Sequence, residues 1–224
     1  MSTLADLLRD SLWIGDLTDA QRMRVEREVQ VRYYAAGSTV VRKGDAVEHW
    51  TGVVDGLVKI NAFSADGRST TFTGVPRGGW FGEGSLLKNE IRKYDAIALR
   101  DSHVALMPRA TFMYLLDTSI PFNRFLLTQI NERLGQIIGM LEYDRLLEPD
   151  GRVARCLAGL FNPVLYPGIG AQLQISQEEI GYLAGVSRQR VNQALKVLEQ
   201  ADLLQVEYGG LVIKDLNGLR SFGA

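Results

Sequence analysis

Four textures of apolar and polar positions follow one another along the chain. The first thirty residues read as helical. In "TDAQRMRVEREVQ", Thr18 stands as an N-cap ahead of apolar Met23, Val25 and Val29. From Val31 to about Met107 the pattern changes to short β-rich runs: "STVVRKGD", "WTGVVDGLVKINAF", "STTFTGV", "RGGWFGEG", "DAIALRD" and "SHVALMP". Runs that recur roughly every 8–12 residues with Gly and Asp between them predict an antiparallel sandwich or barrel. Asp66-Gly67 reads as a hairpin tip within it. Most of the 23 glycines fall in or beside this region, where tight turns need positive φ.

After Pro108 the period becomes helical again. "RATFMYLLDTSI" predicts a short helix, and Pro121 sits where a first-turn proline is tolerated. From Phe122 to Leu147 only Gly135 and Gly139 weaken the helical pattern. Leu127, Ile130, Leu134, Ile137 and Leu141 alternate at spacings of three and four, the seam of a coiled coil. Such a stripe is either core within one chain or the interface of a dimer, and the strict alternation favours the dimer. A helix of this length spans roughly 39 Å. Pro149-Asp150-Gly151 ends it, which divides the chain into 1–120, 121–148 and 149–224.

The last part carries the most specific pattern. In "ISQEEIGYLAGVSRQRVNQALKVLEQADLL", Ser176 and Glu179 form a capping box, so a helix starts at Gln177. Ile180, Leu183 and Ala184 are its buried face. Gly185 makes the turn and Ser187 caps a second helix, which buries Val191, Ala194, Leu195 and Leu198. Its other face carries Arg188, Gln189, Asn192, Gln193 and Lys196, with no acid between Arg188 and Lys196. This is the plan of a helix-turn-helix whose second helix enters the major groove of DNA. Arg188 can donate twice to guanine, and Gln189 and Gln193 can read adenine or other base edges. Arg190 and Lys196 suit phosphates or are surface charges, and the helix starts at Gln177 and Ser187 can hold phosphates through backbone N–H groups. Gly209-Gly210 between two apolar runs reads as a hairpin wing.

Composition narrows the field by exclusion. The 224 residues include 25 Lys plus Arg and 26 Asp plus Glu, so a nucleic-acid surface has to come from local clustering. A single cysteine, Cys156, rules out an intramolecular disulfide or a cysteine-held iron–sulfur cluster within one chain. It lies on an apolar helix face and reads as a small core residue. The only two histidines, His49 and His103, fall in strand-like segments and read as structural rather than as haem or metal ligands. No stretch reaches 18 apolar residues and the N-terminus lacks a signal-peptide pattern, so a cytoplasmic protein with no membrane partner is expected. Nothing resembles a catalytic constellation, and no catalytic or metal-binding residue is expected.

On these motifs the chain from about Leu17 to Leu216 resembles the cyclic-AMP receptor protein / fumarate-nitrate regulator (CRP/FNR) family of bacterial transcription factors. The resemblance implies an α+β fold: an N-terminal double-stranded β-helix (jelly roll) of the cyclic-nucleotide-binding kind, a long dimerisation helix, and a C-terminal winged helix-turn-helix. It implies a homodimer under allosteric control that binds a palindromic operator, with recognition helices about 34 Å apart, and RNA polymerase as a further partner. Arg188, Gln189 and Gln193 fall at the family's base-reading positions.

The same resemblance places an effector loop in "WFGEGSLLKNEIRKYDAIA", with Gly82, Glu83 and Gly84 followed by Arg92, Lys93 and Tyr94. Nucleotide-binding relatives have Gly-Glu and then Arg-Ser; here Arg92-Lys93 or, one residue on, Lys93-Tyr94 takes the place of Arg-Ser. Ile137 and Ile138 stand where relatives that bind cyclic AMP carry two hydroxyls, and an unpaired buried amine costs roughly 1–3 kcal/mol. A nucleotide or another small anion served by Arg77, Arg92 and Lys93 is the effector class, and cyclic AMP fits poorly. The residues leave two other readings open. In one, Glu83 pairs with Arg92 and closes an empty pocket. In the other, the C-terminal part contacts protein instead of DNA.

Overall fold

The computed structural model describes residues 2–63, 69–167 and 169–223. The hairpin tip read at Asp66-Gly67 lies outside them. The chain opens with α1 (Leu4–Asp10) and α2 (Asp19–Glu28). Both start in capping boxes, Thr3 with Asp6 and Thr18 with Gln21, so the sequence places the start of α2 at the observed residue. The buried face of α2 is Gln21 and Val25, while Met23 is exposed. Gln21 turns inward because its amide reaches Thr118 Oγ1 at 3.1 Å.

Among the described residues eight strands follow: β1 (Gln30–Tyr34), β2 (Thr39–Val41), β3 (His49–Asp55), β4 (Leu57–Phe63), β5 (Ser69–Pro76), β6 (Trp80–Phe81), β7 (Asp95–Ala98) and β8 (Ser102–Pro108). They form two four-stranded antiparallel sheets, ordered β1-β8-β3-β6 and β2-β7-β4-β5. Val53, Val58, Ile60, Val75, Phe81 and Val104 fill the space between the sheets. A short helix, α3 (Glu83–Lys88), interrupts the glycine-rich stretch that reads as β-rich in the sequence. It forms because Gly82 leaves β6 at φ 93° and Leu86 is then fully buried. At the closed end, Trp13, Trp50 and Trp80 pack with Phe112 and Phe122, Trp50 stacking on Trp80 at 4.4 Å. Trp80 donates its indole N–H to Ser11 Oγ at 2.9 Å, which satisfies the one polar atom such a ring buries.

Two helices leave the roll, α4 (Arg109–Thr118) and the long α5 (Ile120–Leu146). Ser119 caps α5 and Pro121 occupies its first turn. The helix has two working faces. Phe122, Leu126, Gln129 and Arg133 point into the roll, whereas Leu127, Ile130, Leu134, Ile137 and Leu141 lie exposed, Leu127 at 70% and Leu134 at 54%. The seam is therefore not core within this chain.

The remainder comprises α6 (Pro149–Gly159), β9 (Gln172–Leu173), α7 (Gln177–Ala184), α8 (Arg188–Gln200), β10 (Leu204–Glu207), β11 (Gly210–Ile213) and α9 (Leu216–Ser221), with sheet order β10-β11-β9. One apolar cluster unites it, centred on Val153, Leu157, Ile180, Val191, Leu195 and Leu198 and reaching Leu57 of the roll. Among the described residues, no helix is long and apolar enough to cross a membrane.

An ion network joins α2 to α4. Glu28 accepts a short hydrogen bond from the Thr111 hydroxyl and also meets Arg24 at 3.1 Å and Arg27 at 2.9 Å. These donors, Thr111 first, hold its carboxyl down from 4.5 to about 2. A depressed folded-state pKa gives stability that is complete above the unfolded value and is lost as pH falls through the folded one. Acid titration of unfolding should therefore show stability falling between about pH 4.5 and pH 2, and Glu28→Gln should flatten that part of the curve.

Candidate effector pocket and nucleic-acid interface

Gly82 and Glu83 lie where β6 passes into α3. A Cβ on Gly82 would sit 2.1 Å from Arg92 Nη1, so the arginine can lie across this turn only because the residue is glycine. Arg92 is buried. Its Nη2 donates to the His49 carbonyl at 2.7 Å and its backbone N–H to the Asp45 carbonyl at 2.9 Å. It does not close the loop onto Glu83. The partner of Glu83 is Arg133 of α5, with Nε 3.4 Å from Oε1; both side chains are largely buried. Arg133 also donates Nη2 to the Trp80 carbonyl at 2.8 Å.

The phenol of Tyr94 joins this cluster. Burial, and then the negative charge of Glu83, push it up to about 12, so it stays a neutral hydroxyl. Burial lowers the Arg92 guanidinium below its ordinary range. Burial alone would do the same to Arg133, but Glu83, Tyr166 and Tyr94 outweigh it and hold Arg133 above the ordinary range.

Polar atoms in this region outnumber their partners. Among the described residues, Glu83 Oε2, Arg92 Nη1, Arg133 Nη1, Thr51 Oγ1, Gln129 Nε2 and both amide atoms of Asn61 are buried without a hydrogen bond. Thr51 stands opposite Phe81, Asn61 opposite Asp95, and Gln129 one helical turn before Arg133. A fold rarely leaves this many buried polar atoms idle. Two guanidiniums suit an anion, while a carboxylate, amides and hydroxyls suit the alcohols and amines of the same ligand.

The other residues read as effector contacts lie elsewhere. Lys93 points to solvent and pairs with Glu90 at 3.0 Å. Arg77 pairs with Asp10 of α1 at 3.2 Å. A Cβ on Gly84 would meet nothing within 4 Å, so packing does not require glycine there. Ile137 and Ile138 are exposed at 46% and 57%, so the face of α5 that meets Glu83 presents Arg133 and not the isoleucines. Arg133 escaped the sequence reading. Its signal was there: Phe122, Leu126, Gln129 and Arg133 form a stripe at spacings of four, three and four beside the apolar seam.

The helix-turn-helix follows the sequence closely. Ser176 and Glu179 cap α7 reciprocally, and Ser187 Oγ accepts from the Arg190 N–H at 3.2 Å to start α8. Val191, Ala194, Leu195 and Leu198 are buried. Ser187, Arg188, Gln189, Asn192, Gln193 and Lys196 are exposed, and Gln177 is half-buried. Arg190 is tied inward, with Nη2 3.1 Å from Asp150 Oδ1 and Nη1 donating to Gln193 Oε1 at 2.9 Å. Tyr208 stands fully exposed at the tip of the β10–β11 wing.

This unit is docked on the roll. Arg100 holds the Glu179 carboxylate with two bonds of 2.8 and 3.0 Å and donates to the Gln174 carbonyl at 2.7 Å. Lys59 lies 4.7 Å over the Tyr182 ring. Leu183 approaches Gly74 so closely that a Cβ there would meet it at 2.9 Å. The Tyr166 ring is buried in the roll's own core, its hydroxyl 3.4 Å from Gln136 Oε1 of α5. A cleft of about 1180 Å³ remains between β5, α5, α6 and α7. Cys156 borders it, and burial pushes its thiol up to about 12, which leaves a poor nucleophile. His103 packs on Tyr33 at 5.5 Å, a structural contact.

A roll with a buried polar cluster, a long helix crossing it and a winged helix-turn-helix define a DNA-binding regulator with an effector-type domain. Residues 31–119 match the cyclic nucleotide-binding domain, and residues 151–222 match the Crp-like helix-turn-helix domain. The cAMP-activated global transcriptional regulator Vfr of Pseudomonas aeruginosa is 30% identical over 189 residues, 81% of this chain and 88% of that protein. The cyclic AMP receptor protein of Thermus thermophilus is 26% identical over 83% of this chain and 84% of its own length. The structure of FixK2 from Bradyrhizobium japonicum shares the fold at a TM-score of 0.72 and 18% identity, covering 88% of this chain and 98% of that one. The chain belongs to the CRP/FNR family of transcription regulators, a family of regulators and not of enzymes.

Removing Arg133 alone should leave Glu83 as a buried charge with only Arg92 near it. Arg133→Met is expected to cost about 3 kcal/mol in chemical denaturation, the low end for a broken buried pair. Adding Glu83→Gln should recover much of that loss, because the double variant buries no lone charge.

Proposed function

We propose that the protein is a homodimeric, sequence-specific transcription regulator whose DNA binding is set by a small anionic effector, most simply a nucleotide, held by Glu83, Arg92 and Arg133. The observation that carries this is the division of α5 into two faces. One face delivers Arg133 to the buried polar cluster, and the other leaves five apolar seam residues exposed for a second copy. An effector that draws Arg133 away from Glu83 would change both how α5 sits on the roll and how it meets its partner. The docked C-terminal unit would follow, since Tyr166 touches the same stretch of α5. Arg188, Gln189 and Gln193 would read bases in a two-fold symmetric site, with Ser187, Asn192 and Lys196 on or near the backbone. The sequence divides correspondingly into an effector unit to residue 120, a dimerisation helix and a DNA-binding unit from residue 149.

One observation favours a second reading, a regulator that works without ligand: Arg133 already neutralises Glu83. Thermal-shift screening of cyclic mono- and dinucleotides separates the two. A true effector at 100 times its Kd adds about 2.7 kcal/mol of stability; no shift with any of them supports the ligand-free reading.

Two variants test the DNA-binding dimer. Arg188→Ala should cost roughly 1–3 kcal/mol in operator affinity and relax the preference at one base pair. Leu134→Asp places a charge in the seam and should give a monomer by light scattering, with loss of binding to a palindromic duplex. Arg188→Ala without effect on DNA would point to a C-terminal unit that contacts protein.

A further inference from the structure

We propose that Arg190 is a positioning residue that sets which base Gln193 reads. The inference rests on the DNA-reading role of α8 and adds a specificity that the sequence leaves open. A glutamine reads adenine by using both ends of its amide, the oxygen accepting from N6–H and the nitrogen donating to N7. In this structure the oxygen is already engaged. Arg190 Nη1 donates to Gln193 Oε1 at 2.9 Å, one turn apart on the same helix. A guanidinium carries only donors, so the atom it meets has to be the amide oxygen. The chemistry fixes the orientation of the amide.

Arg190 is itself held. Its Nη2 lies 3.1 Å from Asp150 Oδ1 in the first turn of α6, and its side chain is only 37% exposed. Asp150 supplies the neutralising charge that a DNA phosphate would otherwise offer, which keeps the guanidinium beside Gln193. Gln193 is exposed, and its free Nε2 group presents two donors and no acceptor. Guanine shows two adjacent acceptors in the major groove, O6 and N7. Adenine puts a donor where guanine has O6. An all-donor amide therefore selects guanine over adenine, and releasing the oxygen reverses the choice.

The test uses the full-length protein and a pool of duplexes with randomised, two-fold symmetric half-sites. Selection with Gln193→Ala identifies the position this residue reads, as the one whose preference flattens. At that position the wild type is expected to favour guanine over adenine by about fivefold or more. Arg190→Ala should abolish or invert that ratio while the preference set by Arg188 stays. Asp150→Asn should move the ratio the same way by less. The guanine-to-adenine ratio is insensitive to a uniform loss of affinity, so it separates positioning from a simple loss of charge. Adenine at this position in the wild type overturns the proposal. So does an unchanged ratio in Arg190→Ala, including one accompanied by equal weakening on all sequences, which would make Arg190 a phosphate contact. A wild type that enriches no common sequence overturns instead the DNA-reading role of α8.

Discussion

The buried pair between Glu83 and Arg133 is the contact on which the arrangement of the roll and long helix turns. A carboxylate in the roll's interior has to be neutralised, because an isolated buried charge is prohibitively costly. The neutralising group comes from α5 and not from the loop that carries the glutamate. That choice fixes the rotation of α5. With Arg133 turned inward, the seam from Leu127 to Leu141 has to face outward.

From this rotation the rest follows by packing. Gln136, one turn beyond Arg133, meets the Tyr166 hydroxyl, and Tyr166 is buried in the roll although it lies beyond α6 in the chain. The contacts that hold the C-terminal unit include Tyr166 near the polar cluster and Arg100 gripping Glu179, a residue that also caps α7. Glu179 serves both the local start of the helix and its docking to the roll.

The recognition helix is coupled to the same frame. Arg190 reaches from α8 to Asp150 at the start of α6, just beyond the end of α5. The surface that would meet DNA is consequently not a set of independent side chains. Two of its members, Arg190 and Gln193, are already bonded to one another, and Arg190 is ion-paired with Asp150 of the helix that begins the C-terminal unit.

Local rules carried much of this structure. The Thr18 cap, the capping box at Ser176, the Ser187 cap, Gly185 and the buried set of α8 depend on residues within a few positions of each other, and they are legible one residue at a time. The seam was legible as well, since a period of three and four needs no knowledge of the partner. The polar cluster was legible only in part. Gly82, Glu83, Arg92 and Tyr94 stand near each other in sequence, and their convergence follows from the turn at Gly82. Which cation neutralises Glu83 was not legible, because Arg133 is fifty residues away and the rotation of α5 decides it. For the same reason Ile137 and Ile138, plausible by position, face outward, and Lys93 joins Glu90 at the surface. The docking of Glu179 on Arg100 and the tie from Arg190 to Asp150 likewise exist only once helices distant in sequence are packed together. Sequence determined each element and its buried stripe through short-range geometry, while the pairing of buried charges waited on the long-range packing that brings them within reach.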